Sequence, residues 1–311
     1  MAEEKLPVTD IKVVKSAAKK KAEVQKQIVA YSFIAPNFIG FAVFTLVPII
    51  FAFALAFLNW DGANAITWAG ISNFTSLMDD QQFRSSFVNT VIYSIGTVPL
   101  TLIASLFLAI VLNQKIKGRN FFRTVSFFPY VASLVAITAV WNMIFNPAMG
   151  PVNEILIRLG VEDPPGWIAD NDWAMFTMVL FSIWKYMGYY MIIYLAGLQG
   201  INTELYEAAS IDGVNTWQKF WYVTLPQLRN TTFFVLIMLT IQCFKVYDIV
   251  FMLAGGSAGT LTQATTVLVY DIYNRAFRYL RYGQASAEAL VLFIMVLIVT
   301  IIQFRLDRDK K

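Results

Sequence analysis

Residues 31–60, 85–114 and 124–153 each run for thirty positions without one charged side chain. A helix needs about 20 mostly apolar residues to cross a ~30 Å hydrocarbon core, so each stretch is long enough to span a bilayer. Three further apolar segments follow: 173–198, interrupted only by Lys185; 231–254, which holds Lys245 and Asp248; and 285–304, with Glu288 near its start. Strands of a transmembrane barrel would be about 9–11 residues long with alternating polarity, and no segment alternates. Charged residues make up 14% of the chain, against about 25% in soluble domains, which excludes one or two water-soluble domains. The expected fold class is an all-α membrane protein with six transmembrane helices.

The missing chemistry narrows function. There is no histidine, and Cys243 is the only cysteine. This excludes His/Cys metal sites, histidine acid–base catalysis and a disulfide framework. Cys243 sits in an apolar run and reads as a small buried hydrophobe. The net charge of +4 does not indicate nucleic acid, because the cations lie in short clusters between apolar spans. Residues 1–27 carry seven lysines and no apolar core of a secretory signal, and are expected to form a solvated N-terminal tail.

Lysine and arginine placement sets the orientation. With the N-terminus in the cytoplasm, 17 cations fall inside and five outside: Arg84, Arg158, Arg275, Arg278 and Arg281. Both termini are therefore expected inside. The 255–283 loop, with three of those arginines, is the one segment that opposes the assignment. The expected organisation is a 1–27 tail, a 28–306 permease domain containing the cytoplasmic loop 199–229, and a 307–311 tail. Trp60, Trp68, Trp141, Trp167 and Trp173 fall near outer span ends, where aromatic rings favour the headgroup region. Pro36, Pro48, Pro99 and Pro129 predict kinks.

Residues 205–226, between the fourth and fifth spans, read as two short helices with a hinge. Asn202 or Thr203 can cap the first helix, and Glu204 favours its positive end. Asp212-Gly213 ends it, because glycine takes the left-handed turn readily. Asn215 and Gln218 have capping-box spacing, and Pro226 closes the segment. Trp217, Phe220 and Trp221 are too apolar for a freely solvated loop and need the bundle underside or a protein partner.

This segment resembles the cytoplasmic signature of ABC importer permeases: Glu207-Ala208-Ala209, then Asp212-Gly213, Val223 and Leu225-Pro226. The resemblance runs from about residue 28 to 306. It includes Gly118-Arg119, Phe122-Arg123, Phe128-Pro129-Tyr130, Ile183-Trp184-Lys185 and Ala196-Gly197-Leu198-Gln199, and is nearest to the first permease of maltose, multiple-sugar and glycerol-phosphate systems. Asn202 and Ser257 depart from it, standing where proline is common. The resemblance implies a type I ABC importer permease core with both termini cytoplasmic, in a bacterial cytoplasmic membrane. It implies a first helix, with Glu204, Tyr206, Glu207, Ala208 and Ala209, that docks in a cleft of a separate ATPase subunit. It further implies a second homologous permease, two ATPase subunits that hold ATP and Mg, an external solute-binding protein and a sugar substrate. This chain itself binds no cofactor. It has no G-x-x-x-x-G-K-[ST] loop, and the glycine-rich run 255–259 lacks the following lysine.

Lys185 lies mid-span between Trp184 and Tyr186, near Tyr189, and intramembrane polar groups usually face a bundle interior or water. Aromatic faces and polar groups together suit a sugar. By resemblance Tyr130, Trp184 and Tyr189 are sugar-contacting aromatics, and Ser133 and Leu134 line the pathway. Gln242 could line it too. Lys245 and Asp248, three apart, can meet on one helix face, as an internal ion pair or as a solute contact. Packing against neighbouring helices is the alternative role for every one of these aromatics. Two other functional classes stay open. One is an integral-membrane enzyme acting on a lipid or lipid-linked sugar, using Glu154, Glu162, Asp163, Asp170 and Asp172. The other is a scaffold for an ATPase complex.

Overall fold

The computed structural model describes residues 8–255 and 264–308. The chain divides into two compact units, one ending at Leu55 and the other beginning at Ala56. In the first, helix α1 (Val8–Phe41) passes through a π-helical turn at Ala42–Leu46 into α2 (Val47–Leu55). Residues 8–27, expected as a tail, are therefore helical and continuous with the first apolar span. The run Ser16-Ala17-Ala18-Lys19-Lys20-Lys21-Ala22 explains this, because alanine and lysine rank among the better helix formers.

The second unit opens with a hairpin of two-residue strands, β1 (Leu58–Asn59) and β2 (Thr67–Trp68), paired Leu58 to Trp68 and Asn59 to Thr67. This is a small departure from an all-helical chain. Asp61 shapes the turn: its Oδ1 accepts from the backbone N–H of Ala63 and Asn64 at 3.0 and 2.8 Å, and Gly62 sits at φ +87°. Those bonds hold the exposed Asp61 carboxyl below the usual aspartate range.

The remaining helices are α3 (Ser72–Asp79), α4 (Gln81–Asn113), α5 (Arg119–Val131), α6 (Leu134–Ile144), α7 (Pro151–Arg158) and α8 (Asn171–Gln199). After these come α9 (Thr203–Ile211), α10 (Thr216–Lys219), α11 (Leu225–Gln227), α12 (Arg229–Phe244), α13 (Asp248–Val250), α14 (Leu268–Tyr273) and α15 (Tyr282–Arg308). Helix α15 carries two residues of the expected 307–311 tail. Among the described residues, Glu23–Leu55, α4, α8 and Tyr282–Asp307 are each long and apolar enough to cross a membrane.

Two expected spans differ from simple helices. The third breaks at Ala132, which is extended, and Ser133, and α5 meets α6 at a 99° bend. The fifth stops at Phe244, after the 16 residues of α12. Tyr247 leaves helical geometry at φ −136°, and the helix restarts as α13 and the π-helical turn Phe251–Gly255.

The core of this unit is α4 against α8. Lipid tails are as apolar as leucine, so helix association in a membrane relies on close packing of small side chains and on hydrogen bonds. Ser86, Thr90, Ser94, Thr97, Thr101 and Ser105 form one buried stripe on α4 at helical spacing. Tyr93 Oη contacts Ser182 Oγ at 2.7 Å; the serine donates to Met178 O, so the tyrosine is the donor. The N-termini of α4 and α8 lie at the same end, because Arg84, Asn89, Asn171 and Ala264 line one cavity. Thr90 Oγ1 at that end accepts from Leu268 N–H at 2.9 Å.

At that end Arg275, 4% exposed, joins three helices. Its Nη2 lies 2.8 Å from Asp80 and 2.9 Å from Asp271, and its Nε lies 2.8 Å from Glu288. Asp80 also caps α4 by accepting from Gln82 N–H at 2.7 Å. Burial pushes its carboxyl upward, but the hydrogen bond and charge of Arg275 outweigh that and hold it below the usual range. At the opposite end Arg229 of α12 pairs with Asp307 of α15 at 3.0 Å. One expected interface residue is not at an interface. Trp167 is 8% exposed and donates Nε1–H to Asn153 Oδ1 at 2.6 Å, so a buried hydrogen bond replaces the headgroup contact.

Candidate functional site

The segment after α8 folds through its own side chains. Asn202 Oδ1 accepts from Glu204 N–H at 3.1 Å and caps α9. The helix ends in a Schellman turn: Val214 N–H donates to Ala209 O at 3.0 Å, Gly213 N–H donates to Ser210 O at 3.2 Å, and Gly213 lies at φ +74°. Asn215 and Gln218 form a reciprocal capping box on α10. Lys219 Nζ donates to Ser210 Oγ at 2.6 Å, and Tyr206 Oη contacts Thr224 Oγ1 at 2.9 Å. These bonds fix the hairpin of α9 and α10 from within. Ala209 is buried beneath it, while Glu204, Glu207, Ala208 and Asp212 are exposed. Tyr206 is half-buried, and Leu225-Pro226 forms the start of α11, leading into α12.

The outer face of this hairpin is apolar. Ile211 is 87% exposed, Tyr222 78% and Trp217 69%. Trp217, Phe220 and Trp221 pack against one another in tilted and edge-on contacts, with centroids 5.3–6.0 Å apart. The helical segment therefore presents a carboxylate, Glu207, on a preorganised apolar surface.

A second cluster gathers around the broken helix. Gly188 of α8 permits it: a Cβ there would lie 1.8 Å from Ser126 O and 2.9 Å from Phe127 Cα. With α5 this close, Lys185 Nζ donates to Pro129 O at 3.3 Å. This carbonyl is in the last turn of α5, where a cation also suits the helix dipole. Tyr130 stacks on Tyr189 at 4.3 Å and 15°, and approaches Tyr186 at 6.4 Å. Gln242 Nε2 donates to Tyr186 Oη at 3.3 Å.

The structure thus brings Tyr130, Lys185, Tyr186, Tyr189 and Gln242 together. Ser133 is exposed in the break, and Leu134 begins α6 beside the core. Trp184 instead packs in a ring column with Trp141 at 5.5 Å and Phe181 at 6.0 Å. The expected meeting of Lys245 and Asp248 on one helix face is corrected. α12 ends at Phe244, Lys245 becomes its cap, and the two form no ion pair. Cys243 is fully buried.

The protein family described as "Binding-protein-dependent transport system inner membrane component" matches residues 98–311. This chain belongs to that family. It is 35% identical to a probable ABC transporter permease protein, YesP, of Bacillus subtilis over 93% of this chain and 94% of that one. It is 34% identical to the lactose transport system permease protein LacF of Rhizobium radiobacter, covering 90% of this chain and 94% of that one. Its fold matches a chain in the crystal structure of a bacterial ABC transporter that imports the acidic polysaccharide alginate. That match has a TM-score of 0.82 and 24% identity, and covers 94% of this chain and 99% of the other.

Membership makes the chain an ABC transporter permease, a transport component and not the lipid-acting enzyme. It also gives the apolar hairpin face and the Lys185 cluster a common context. The sequence reading missed three parts of this permease. Gly188 was readable as a glycine inside an apolar helix, a mark of close helix approach. Tyr247, Tyr270 and Tyr273, with centroids 5.1 and 6.1 Å from Tyr247, form an aromatic group beside Asp248 that only the break in the fifth span assembles. The Arg275 junction adds Asp80 and Glu288 to the i,i+4 pair of Asp271 and Arg275, and those two lie beyond any local spacing rule.

Proposed function

We propose that this chain forms half of the translocation pathway of an ATP-driven, binding-protein-dependent importer for a sugar or oligosaccharide. It has six crossings: Glu23–Leu55, α4, the bent α5–α6 pair, α8, α12 with its continuation, and α15. It sits in a bacterial cytoplasmic membrane with both termini inside. Burial of Arg275 among three carboxylates supports this orientation, because it removes one arginine from the outer count that opposed it.

The observation that carries the proposal is the exposed, internally braced hairpin with Glu207 on its surface. Such an apolar face in water marks a protein contact, and the partner is an ATPase subunit. ATP-driven closure of two ATPase subunits draws this hairpin toward its counterpart on a second homologous permease. The two packings alternate access to the cavity, and ATP binding stabilises one of them. Tyr130 and Tyr189 offer aromatic faces to sugar C–H groups, while Lys185, Gln242 and Asp248 supply partners for hydroxyls. Relatives support the sugar assignment: LacF belongs to a lactose system, and the alginate transporter was solved with an alginate-bound periplasmic protein.

The test is an affinity purification of the tagged chain from its native membrane, followed by mass spectrometry. Recovery of a second permease and an ATPase, with the ATPase depleted in Glu207→Ala, supports the proposal. Recovery of the chain alone, with the ATPase present in the membrane, refutes it.

A further inference from the structure

The three arginines that opposed the orientation rule are not equivalent. Arg275 is buried and balanced by Asp80, Asp271 and Glu288. Arg278 and Arg281 are exposed, and among the described residues neither forms an ion pair. Both line the same cavity of about 580 Å³, at the end of the bundle opposite the α9–α10 hairpin.

Local backbone geometry brings them there. Residues Asn274–Arg278 form a π-helical turn, and Tyr279 N–H donates to Asn274 O at 2.9 Å. Leu280 adopts φ +54°, a conformation rare for leucine, and folds the chain back so that Arg281 N–H donates to Arg275 O at 2.7 Å. Three arginines spaced three apart therefore share one cavity wall. Asn274 also lines it; the side chain is nine-tenths buried, and its Oδ1 has no partner among the described residues. Tyr270 and Tyr279 add aromatic surface.

We infer that this cavity is a receiving site for a solute carrying a carboxylate or phosphate group. Arg278 and Arg281 take the oxyanion, because a guanidinium fork matches its planar oxygens and neither is spent on a protein carboxylate. Asn274 Oδ1 accepts from a solute hydroxyl, and the tyrosines face the carbon skeleton. The Arg275 junction fixes the wall, and its guanidinium is already engaged by Asp80, Asp271 and Glu288. An anionic sugar or sugar-like solute would meet this site before it reached the Lys185 cluster. The inference rests on the importer reading for its direction of travel, but the binding site itself does not.

The experiment is isothermal titration of the full chain in phosphatidylcholine nanodiscs with galacturonate, inorganic phosphate and galactose. Galacturonate is expected to bind at least about tenfold more tightly than galactose, and Arg278→Gln/Arg281→Gln to remove that preference. Raising salt from about 0.05 to about 0.5 M should weaken galacturonate binding to the unmodified chain, a test that needs no variant. Equal affinity for galactose and galacturonate, or an unaltered preference in the folded double variant, overturns the inference. So does phosphate binding that persists in the folded double variant, with no galacturonate binding, which would mean an adventitious ion only. Native mass spectrometry separates the lipid source: phosphatidylglycerol retained by the chain and lost in the double variant, with no galacturonate binding, would assign the arginines to a headgroup. A chain that binds galacturonate but recovers no ATPase would refute the importer reading alone.

Discussion

Replacing Gly188 by alanine adds one methyl group where α8 meets the backbone of α5. The new Cβ would stand 1.8 Å from Ser126 O, 2.5 Å from Ser126 C and 2.9 Å from Phe127 Cα. All three are backbone atoms, so no side-chain rotation relieves the clash. Carbon and oxygen at van der Waals contact lie roughly 3.2–3.5 Å apart, so α5 must retreat by about 1.5 Å. That movement carries Pro129 O, now 3.3 Å from Lys185 Nζ, out of hydrogen-bonding range. Overpacking costs about 1–3 kcal/mol, and loss of a hydrogen bond from a charged donor costs about 1.5–3 kcal/mol. The two losses share one displacement, so we expect about 2–5 kcal/mol in total rather than their full sum. The assay is thermal unfolding of the purified chain in nanodiscs, beside Gly40→Ala. Gly40 has nothing within 4 Å of its hypothetical Cβ, and alanine there should stabilise α1 by about 0.5–1 kcal/mol. If Gly188→Ala melts with the unmodified chain, the close approach of α5 to α8 is wrong, and the account of the Lys185 cluster falls with it.

Arg275→Met would leave Asp80, Asp271 and Glu288 without their shared cation. We expect a loss of about 3–5 kcal/mol, seen as a collapse of folded yield in detergent, partly restored by adding Asp271→Asn. Gly213→Ala places a Cβ at φ +74° and should cost about 1–2 kcal/mol; because this strain sits in the hairpin, solute-stimulated ATPase activity of the assembled complex should fall further than bundle stability. Asp80 has a folded-state carboxyl held below 3.8, so its pairing stabilises the protein fully above that value and is lost as pH falls through the lowered one. The melting difference between the unmodified chain and Asp80→Asn should therefore stay level from about pH 5 to 8 and shrink below about pH 4; a difference that grows on acidification would reverse the assigned sign.

The legible parts of this protein are those governed by local rules. Long apolar runs marked α4 and α8, and the caps at Asn202, Gly213 and Asn215 could be read from residue type and spacing alone. The breaks could not. Pro129 warned of a kink, but the 99° bend falls at Ala132–Ser133, beside the contacts that Gly188 and Lys185 of another helix make with α5. Lys245 and Asp248 looked like neighbours because a continuous helix was assumed, and the chain leaves the helix between them. In the candidate pathway, Tyr186 and Gln242 meet across 56 residues, a distance that local patterning does not reach. Trp184, next to Lys185 in sequence, meets Trp141 and Phe181 instead of the Tyr130 group, because consecutive helical positions point about 100° apart.

The Arg275 junction also bears on how the chain is made. In the proposed orientation, the segment around α14 must cross the membrane with three arginines while the ribosome is still at work. Asp271 lies four residues before Arg275 and reaches it at 2.9 Å within the same helical stretch, so one of the three arginines can travel already paired. Asp80 belongs to a helix inserted much earlier and can receive the arginine on arrival. Glu288 is translated last, and its carboxylate sits fully buried at the start of α15. The same arginine that sets the final structure can therefore act as a checkpoint in biogenesis, retaining the last helix only when the earlier ones are in place.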